Sequence, residues 1–124
     1  MTSRTTRVRL IDGATIAVAE PHWCLGQHED GLDLVDLSHN SAQTTYCVDT
    51  ERGPAELFHA LVSQAPYSSH TVERVTNVAV YLDHDYHRFR DAAALFALAD
   101  QIAEQAIQLR QLARQLDEIH HAGQ

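Results

Sequence analysis

The sequence contains no lysine, so its nine cationic side chains are all arginines, and seventeen acidic residues leave a formal net charge of −8. This excess of negative charge repels phosphate backbones and argues against independent nucleic-acid binding. The absence of lysine also excludes Schiff-base catalysis. No apolar run approaches the roughly 20 residues of a membrane span, and the N-terminal segment lacks the apolar core of a secretory signal. We therefore expect a cytoplasmic protein that binds neither nucleic acid nor membranes.

Cysteine, proline and tryptophan are also scarce, with two, three and one residues in 124. A chain of this length, 44% hydrophobic, can bury the core of one domain without disulfide bonds. A Cys24–Cys47 disulfide is conceivable, but the reducing cytoplasm favours free thiols. We predict a single domain at residues 1–124, mainly β at 1–90, with a Cys/His loop at 21–39 and a long helix at 91–120.

The first strands are predicted by alternating polarity around a turn signal. Residues 7–10 and 14–19 alternate with the period of two that is typical of strands, and Asp12-Gly13 between them favours a tight turn. Pro21 has no backbone N–H to donate a hydrogen bond to a neighbouring strand, and it therefore ends the second strand. The sequence predicts a β-hairpin that leads into the Cys/His loop.

Segments rich in β-branched and apolar residues predict the rest of the sheet. They are residues 32–37, 44–48, 55–63 and 75–82. The segment 55–63 also fits a helical face, and we favour a strand. The expected fold class is α+β, with an antiparallel sheet of about five or six strands and one long C-terminal helix packed across it.

An acidic segment with two histidines, residues 83–87, follows the last predicted strand. We interpret it as a solvated connection to the helix. The alternative is that His84 and His87 face each other across a turn and bind a ligand.

Residues 92–119 contain no glycine or proline, and Asp91 is suited to cap the start of a helix there. Apolar residues recur at heptad spacing: Leu95, Ile102, Leu109 and Leu116 in one row, and Leu98, Leu112 and Ile119 in its companion row. Gln105 is the polar exception, at a type of position that can set coiled-coil register. Two interpretations stay open. The stripe covers one face of the sheet, or part of the helix protrudes and binds a partner helix. That partner can be the same helix of a second copy, which would make the protein a homodimer.

The segment 21–28 and a later histidine contain residues that bind transition metals. Cys24, His28 and His39 form a Cys-x3-His-x10-His pattern. A thiolate and two neutral imidazoles suit Zn²⁺, which takes about four tetrahedral ligands, better than they suit Mg²⁺ or Ca²⁺. We therefore predict a zinc site with Cys24, His28 and His39 as metal ligands.

The spacing does not reveal a fourth ligand. The candidates are His22, Asp36, Cys47 and His70, or an exchangeable water. A fourth protein ligand would make the site structural, whereas an open position would permit hydrolysis. Without a metal, the alternatives are a buried core thiol near two unrelated histidines, or a reactive Cys24 with a histidine base.

Three segments carry further motifs: Glu20–His28, Asp36–His39 and Gln64–Tyr67. Together with the Leu/Ala-rich C-terminal helix, they resemble a family of small actinobacterial domains of unknown function. The resemblance covers nearly the whole chain, and its most specific part is Pro-x-Trp-Cys-x-Gly-x-His. Cys24, His28 and His39 match recurring Cys/His positions of that family, whereas Cys47 matches none. The resemblance implies a site but no reaction, because the family has no established activity.

The function expected from these patterns is a cytoplasmic, non-enzymatic regulatory or protein-interaction domain. Zinc fixes its loop, and its helix and sheet edge engage a protein, which includes self-association. One rival is a small metal-dependent hydrolase with the same three ligands and Asp36, Glu29 or Asp30 as general base. Another is a metal-free protein-binding module. A closed, buried set of four ligands would favour a structural ion, whereas three ligands open to a pocket would favour catalysis.

Overall fold

A computed structural model describes residues 4–123 of the chain. It opens with an antiparallel hairpin of β1 (Arg4–Arg9) and β2 (Thr15–Glu20). In the turn, the Asp12 carboxylate accepts a hydrogen bond from the Ala14 backbone N–H at 2.9 Å. Gly13 has a φ of +88°, which glycine adopts without steric cost. The predicted hairpin is confirmed.

The hairpin contributes to a small apolar core. Five side chains form it: Val8, Ile16, Val18, Leu34 and Leu37. Alternate residues of a strand point to the same face, so Ile16, Val18 and Glu20 share the inward face of β2. This apolar face therefore ends in a carboxylate.

Residues 32–37 do not form the predicted third strand, and that prediction was wrong. A 3₁₀ turn at Leu34–Asp36 takes its place, followed by a hydrogen bond from the Leu37 N–H to the Leu34 carbonyl at 3.1 Å. A turn of this kind brings residues three apart onto one side. Leu34 and Leu37 therefore both pack in the core, while Val35 is 52% exposed.

Five strands form a second antiparallel sheet: β3 (His39–Asn40), β4 (Thr44–Thr50), β5 (Gly53–Gln64), β6 (Asn77–Leu82) and β7 (Asp85–Phe89). β3 and β4 pair with one edge of β5, β6 pairs with the other edge, and β7 pairs with β6. A short helix, α1 (Thr71–Arg74), connects β5 to β6. The α+β class with an antiparallel sheet is confirmed, and residues 55–63 form a strand as favoured.

Residues 83–87 are not the predicted connection to the helix, because β7 begins at Asp85. Asp83 and His84 form a two-residue hairpin turn between β6 and β7, with φ values of +52° and +66°. Hairpin turns with two positive φ values usually carry glycine at the second position, which lacks the steric cost of a side chain. The histidine at this position hid the turn from sequence analysis.

This turn yields a stability prediction. We expect His84→Gly to raise the free energy of unfolding by about 0.5–1 kcal/mol. Glycine adopts the positive φ without the steric strain that a side chain causes, and this gain outweighs the added entropy of the unfolded chain. His84→Val is the control and should lower it by about 1 kcal/mol or more, since a β-branched residue tolerates this conformation poorly. Urea unfolding measures both changes, and equal stability of the two variants would contradict the assignment.

The C-terminal segment forms α2 (Ala92–Ala122), and its start is as predicted: the Asp91 carboxylate accepts a hydrogen bond from the Ala94 N–H at 2.8 Å. The chain divides into two compact units, Met1–Arg90 and Asp91–Gln124. The packing of the helix on the sheet stays a prediction. Within residues 4–123, no helix combines the length and apolarity needed to span a membrane.

Candidate metal centre

The site begins at the end of β2. Glu20 is the last residue of this strand and continues the inward face formed by Ile16 and Val18. None of its side-chain surface is exposed. Burial of a carboxylate is costly unless charged or hydrogen-bonding groups surround it, so this position requires partners.

A tight turn follows Glu20. The Cys24 N–H donates a hydrogen bond to the Pro21 carbonyl at 3.0 Å. The guanidinium of Arg4, on β1, donates to the Pro21 carbonyl at 3.3 Å and also to the Cys24 carbonyl. The turn and its arginine hold Cys24 beside the carboxylate.

Two backbone N–H groups donate hydrogen bonds to the sulfur of Cys24. The Gly26 N–H donates to Cys24 Sγ at 3.3 Å, and the Asn40 backbone N–H donates to the same sulfur. Gly26 has a φ of +74°, a conformation that glycine adopts without steric cost. Such donors stabilise the thiolate, which is the form that binds metals.

The two histidines come from different parts of the chain. His28 lies in the loop after Gly26, and this loop returns to the hairpin where the Gly31 N–H donates to the Arg9 carbonyl at 2.8 Å. His39 is the first residue of β3, which pairs with β5. The site therefore lies where the hairpin, the loop and the five-stranded sheet meet.

These elements gather four potential ligand atoms, one each from Glu20, Cys24, His28 and His39, within 4.8 Å of one another. Glu20 Oε1 is 2.5 Å from His28 Nε2, and Glu20 Oε2 is 3.0 Å from His39 Nδ1. The Trp23 ring packs edge-on to the His39 ring, with centroids 6.4 Å apart. Only 2% of the His28 side chain and 4% of the His39 side chain are exposed. The side chains of the cluster are therefore almost completely buried.

Burial and hydrogen bonding shift the pKa values of two of these groups. Burial raises the pKa of Glu20, but hydrogen bonds from Cys24 and His28 and the charge of the two imidazoles outweigh burial and lower it overall. Burial, reinforced by the Glu20 carboxylate, raises the pKa of the Cys24 thiol against the opposing backbone N–H donors. A cation at this position would displace the thiol proton, because a coordinating thiol is deprotonated.

The spacing of the four atoms suits a metal ion. Tetrahedral ligands at about 2.0–2.3 Å from Zn²⁺ lie roughly 3.3–3.6 Å from one another. The contacts of Glu20 with the histidines, at 2.5 and 3.0 Å, are shorter than this, and the whole set stays within 4.8 Å. Small side-chain movements would therefore place all four atoms around one ion, and the cluster could bind a metal.

The structure brings the three predicted ligands together, and their role as ligands stays a prediction. The four residues considered for the fourth position do not join this cluster of described residues. All four are exposed: His22, Asp36, Cys47 and His70. Glu20 completes the set instead, and sequence analysis missed it. The signal was available, because the alternation that turns Ile16 and Val18 inward also turns the carboxylate of Glu20 inward.

The carboxylates considered as general bases lie outside the cluster. Asp30 accepts a hydrogen bond from the Arg9 N–H at 3.3 Å. Glu29 and Asp36 line a cavity of about 350 Å³ that His28 also lines. The other three residues of the cluster are not in the lining of this cavity.

The alternative ligand pair in residues 83–87 has a different environment. His84 lies in the β6–β7 turn, and His87 Nε2 is 3.2 Å from the Leu82 carbonyl, with which it hydrogen-bonds. Within residues 4–123, neither histidine belongs to a group of three or more candidate ligands.

Residues 4–118 match the model of a family described as Domain of unknown function (DUF6907). The chain therefore belongs to this family, which confirms the resemblance to a family of unknown function. The actinobacterial origin and the recurrence of the Pro-x-Trp-Cys-x-Gly-x-His motif stay predictions. Neither the curated proteins nor the solved structures gave a match.

Proposed function

We propose that this member of the DUF6907 family is a cytoplasmic, non-enzymatic protein-interaction domain whose fold is fixed by one structural zinc ion. Glu20, Cys24, His28 and His39 hold the ion. The observation that carries the proposal is the convergence of four potential ligand atoms within 4.8 Å in a buried cluster.

The donor set favours zinc over other common ions. One sulfur, two imidazole nitrogens and one carboxylate oxygen form a mixed set that suits a borderline-soft tetrahedral ion. Mg²⁺ and Ca²⁺ prefer six or more oxygen ligands, and this cluster supplies one carboxylate. The charges also balance, because the thiolate and the carboxylate together neutralise Zn²⁺, and a neutral buried site avoids the cost of an uncompensated charge.

Burial favours a structural role for the ion over a catalytic one. A catalytic zinc keeps an open position for water or substrate, whereas structural sites are closed by four protein ligands. Here the side chains of Glu20, His28 and His39 are exposed by 0, 2 and 4%. The ion would join the hairpin to the five-stranded sheet through a loop that has little regular structure of its own.

Exposed apolar side chains on the five-stranded sheet support an interaction role. Tyr46 and Val48 lie on one face of β4, exposed by 46 and 42%, and the Tyr46 ring packs on that of Phe58 on β5, with centroids 4.7 Å apart. Apolar side chains grouped on a surface are typical of sites that bind proteins.

Metal analysis of three purified proteins tests the proposal. We expect one zinc per chain in the natural protein and in Cys47→Ser, which removes the exposed thiol of β4. Cys24→Ser removes the buried thiol and should lose the stoichiometric zinc. A natural protein that remains metal-free after incubation with zinc under reducing conditions would contradict the proposal, as would full zinc content in Cys24→Ser.

A further inference from the structure

The apolar stripe of α2 carries several exposed side chains. Five of its members are exposed by 40–68%: Ile102, Leu109, Leu112, Leu116 and Ile119. Helices in water gain most of their stability from packing such a face, and α2 is 31 residues long, or about 46 Å at ~1.5 Å per residue. A stripe this long requires a similarly long apolar surface.

The residues beside the stripe are compatible with a second copy of the same helix. Small or neutral residues flank it on both sides: Ala99, Ala106 and Ala113 on one, and Gln101, Gln108 and Gln115 on the other. The charged side chains lie at the outer heptad positions: Asp100, Glu104, Arg110, Arg114, Asp117 and Glu118. In a coiled coil, the flanking positions bring like charges together or pair opposite ones. The six flanking residues named above carry no charge that would repel an identical helix.

Gln105 distinguishes the possible alignments of two such helices. In a parallel pair in register, Gln105 faces its counterpart, and the two amides can hydrogen-bond to each other. An antiparallel overlap of the whole stripe sets Gln105 against Leu109 and buries an amide without a partner, which is costly. The polar position therefore favours the parallel arrangement.

We infer that α2 pairs with the α2 of a second copy of this chain in a parallel two-stranded coiled coil, in register at Gln105. This inference rests on the interaction part of the proposed function and names its partner. The zinc ion takes no part in it, so metal content and oligomeric state can fail independently.

Sedimentation equilibrium of the full chain tests the pairing with two matched variants. Leu109→Glu places a charge in the stripe, whereas Ile107→Glu places the same charge at an outer position where the isoleucine is 55% exposed. We expect dimers for the natural protein and Ile107→Glu, and at least a tenfold weaker dimer for Leu109→Glu. Unchanged Trp23 fluorescence in all three would show that the β region is intact, with or without zinc.

A cysteine cross-link tests the register. In a Cys47→Ser background, Gln105→Cys should form a disulfide between two chains on mild oxidation, whereas Ile107→Cys should not. A strictly monomeric natural protein would overturn the inference, because no second copy would then cover the stripe. A trimer, equal effects of the two glutamate variants, or no cross-link at position 105 would overturn it as well.

Discussion

Chelation of the zinc ion is expected to lower the thermal midpoint of the β region by about 15–30 °C. A ligand at roughly 1,000 times its Kd stabilises the folded state by about 4.1 kcal/mol, and each kcal/mol shifts the midpoint of a domain of 60–100 residues by about 4–8 °C. The effect is large because the four ligands come from β2, its following loop and β3, so loss of the ion frees all three from one another. Fluorescence of Trp23, the single tryptophan, reports on this region because its ring packs against His39.

The control for this experiment is Cys24→Ser, which should melt at the same low midpoint with or without chelator. Addition of excess zinc should restore the midpoint of the natural protein and leave that of Cys24→Ser unchanged. A natural protein whose midpoint is indifferent to chelator and to zinc would show that hydrogen bonds among these four side chains suffice to hold the loop.

Replacement of Glu20 by glutamine is expected to weaken zinc binding by more than about 100-fold. The change keeps the shape of the side chain but removes its negative charge, which leaves a net positive charge in a cluster where this side chain has no exposed surface. An uncompensated buried charge costs several kcal/mol, and a factor of 100 corresponds to about 2.7 kcal/mol. Competition with a chromophoric chelator measures the change in Kd.

Glu56→Gln is the matched control for this substitution. Glu56 also contacts a histidine, with its Oε2 3.1 Å from His59 Nδ1, but 44% of its side chain is exposed. Exposed ion pairs contribute about 0–1 kcal/mol, so this variant should bind zinc as the natural protein does. An unchanged zinc affinity in Glu20→Gln would mean that the carboxylate is not a ligand and that the site has three protein ligands.

The opening hairpin and the start of α2 were predictable from sequence because each has a local physical cause. Asp12-Gly13 supplies both the side-chain acceptor and the positive φ of its turn. Asp91 supplies the acceptor for the first turn of the helix. In both cases, residues within four positions of one another determine the structure.

The errors in the sheet arose where spacing was ambiguous or a usual residue was missing. Leu34 and Leu37 are compatible with a strand or a helical turn, and contact with Val8 and Val18 across the core decided in favour of the turn. The β6–β7 hairpin lacks the glycine that would have signalled it. The pairing of β7 with β6 compensates for the strained turn.

The candidate site was only partly predictable for a related reason. Cys24 and His28 are close in sequence and lie next to chain-turning residues, so their grouping is a local feature. Glu20 looked like the end of a strand, and its role depends on which face of β2 meets the core. That face is fixed by Ile16 and Val18 packing against Leu37, which is a contact between distant parts of the chain.

X-ray absorption at the zinc edge of the purified protein tests the central claim most directly, because it counts the atoms around the ion. The account predicts one sulfur at about 2.3 Å and three nitrogen or oxygen atoms at about 2.0–2.2 Å, with the scattering pattern of two imidazoles. A shell without sulfur, a shell with two sulfurs, or a six-coordinate shell of oxygen would contradict the assignment of Glu20, Cys24, His28 and His39 as the ligands.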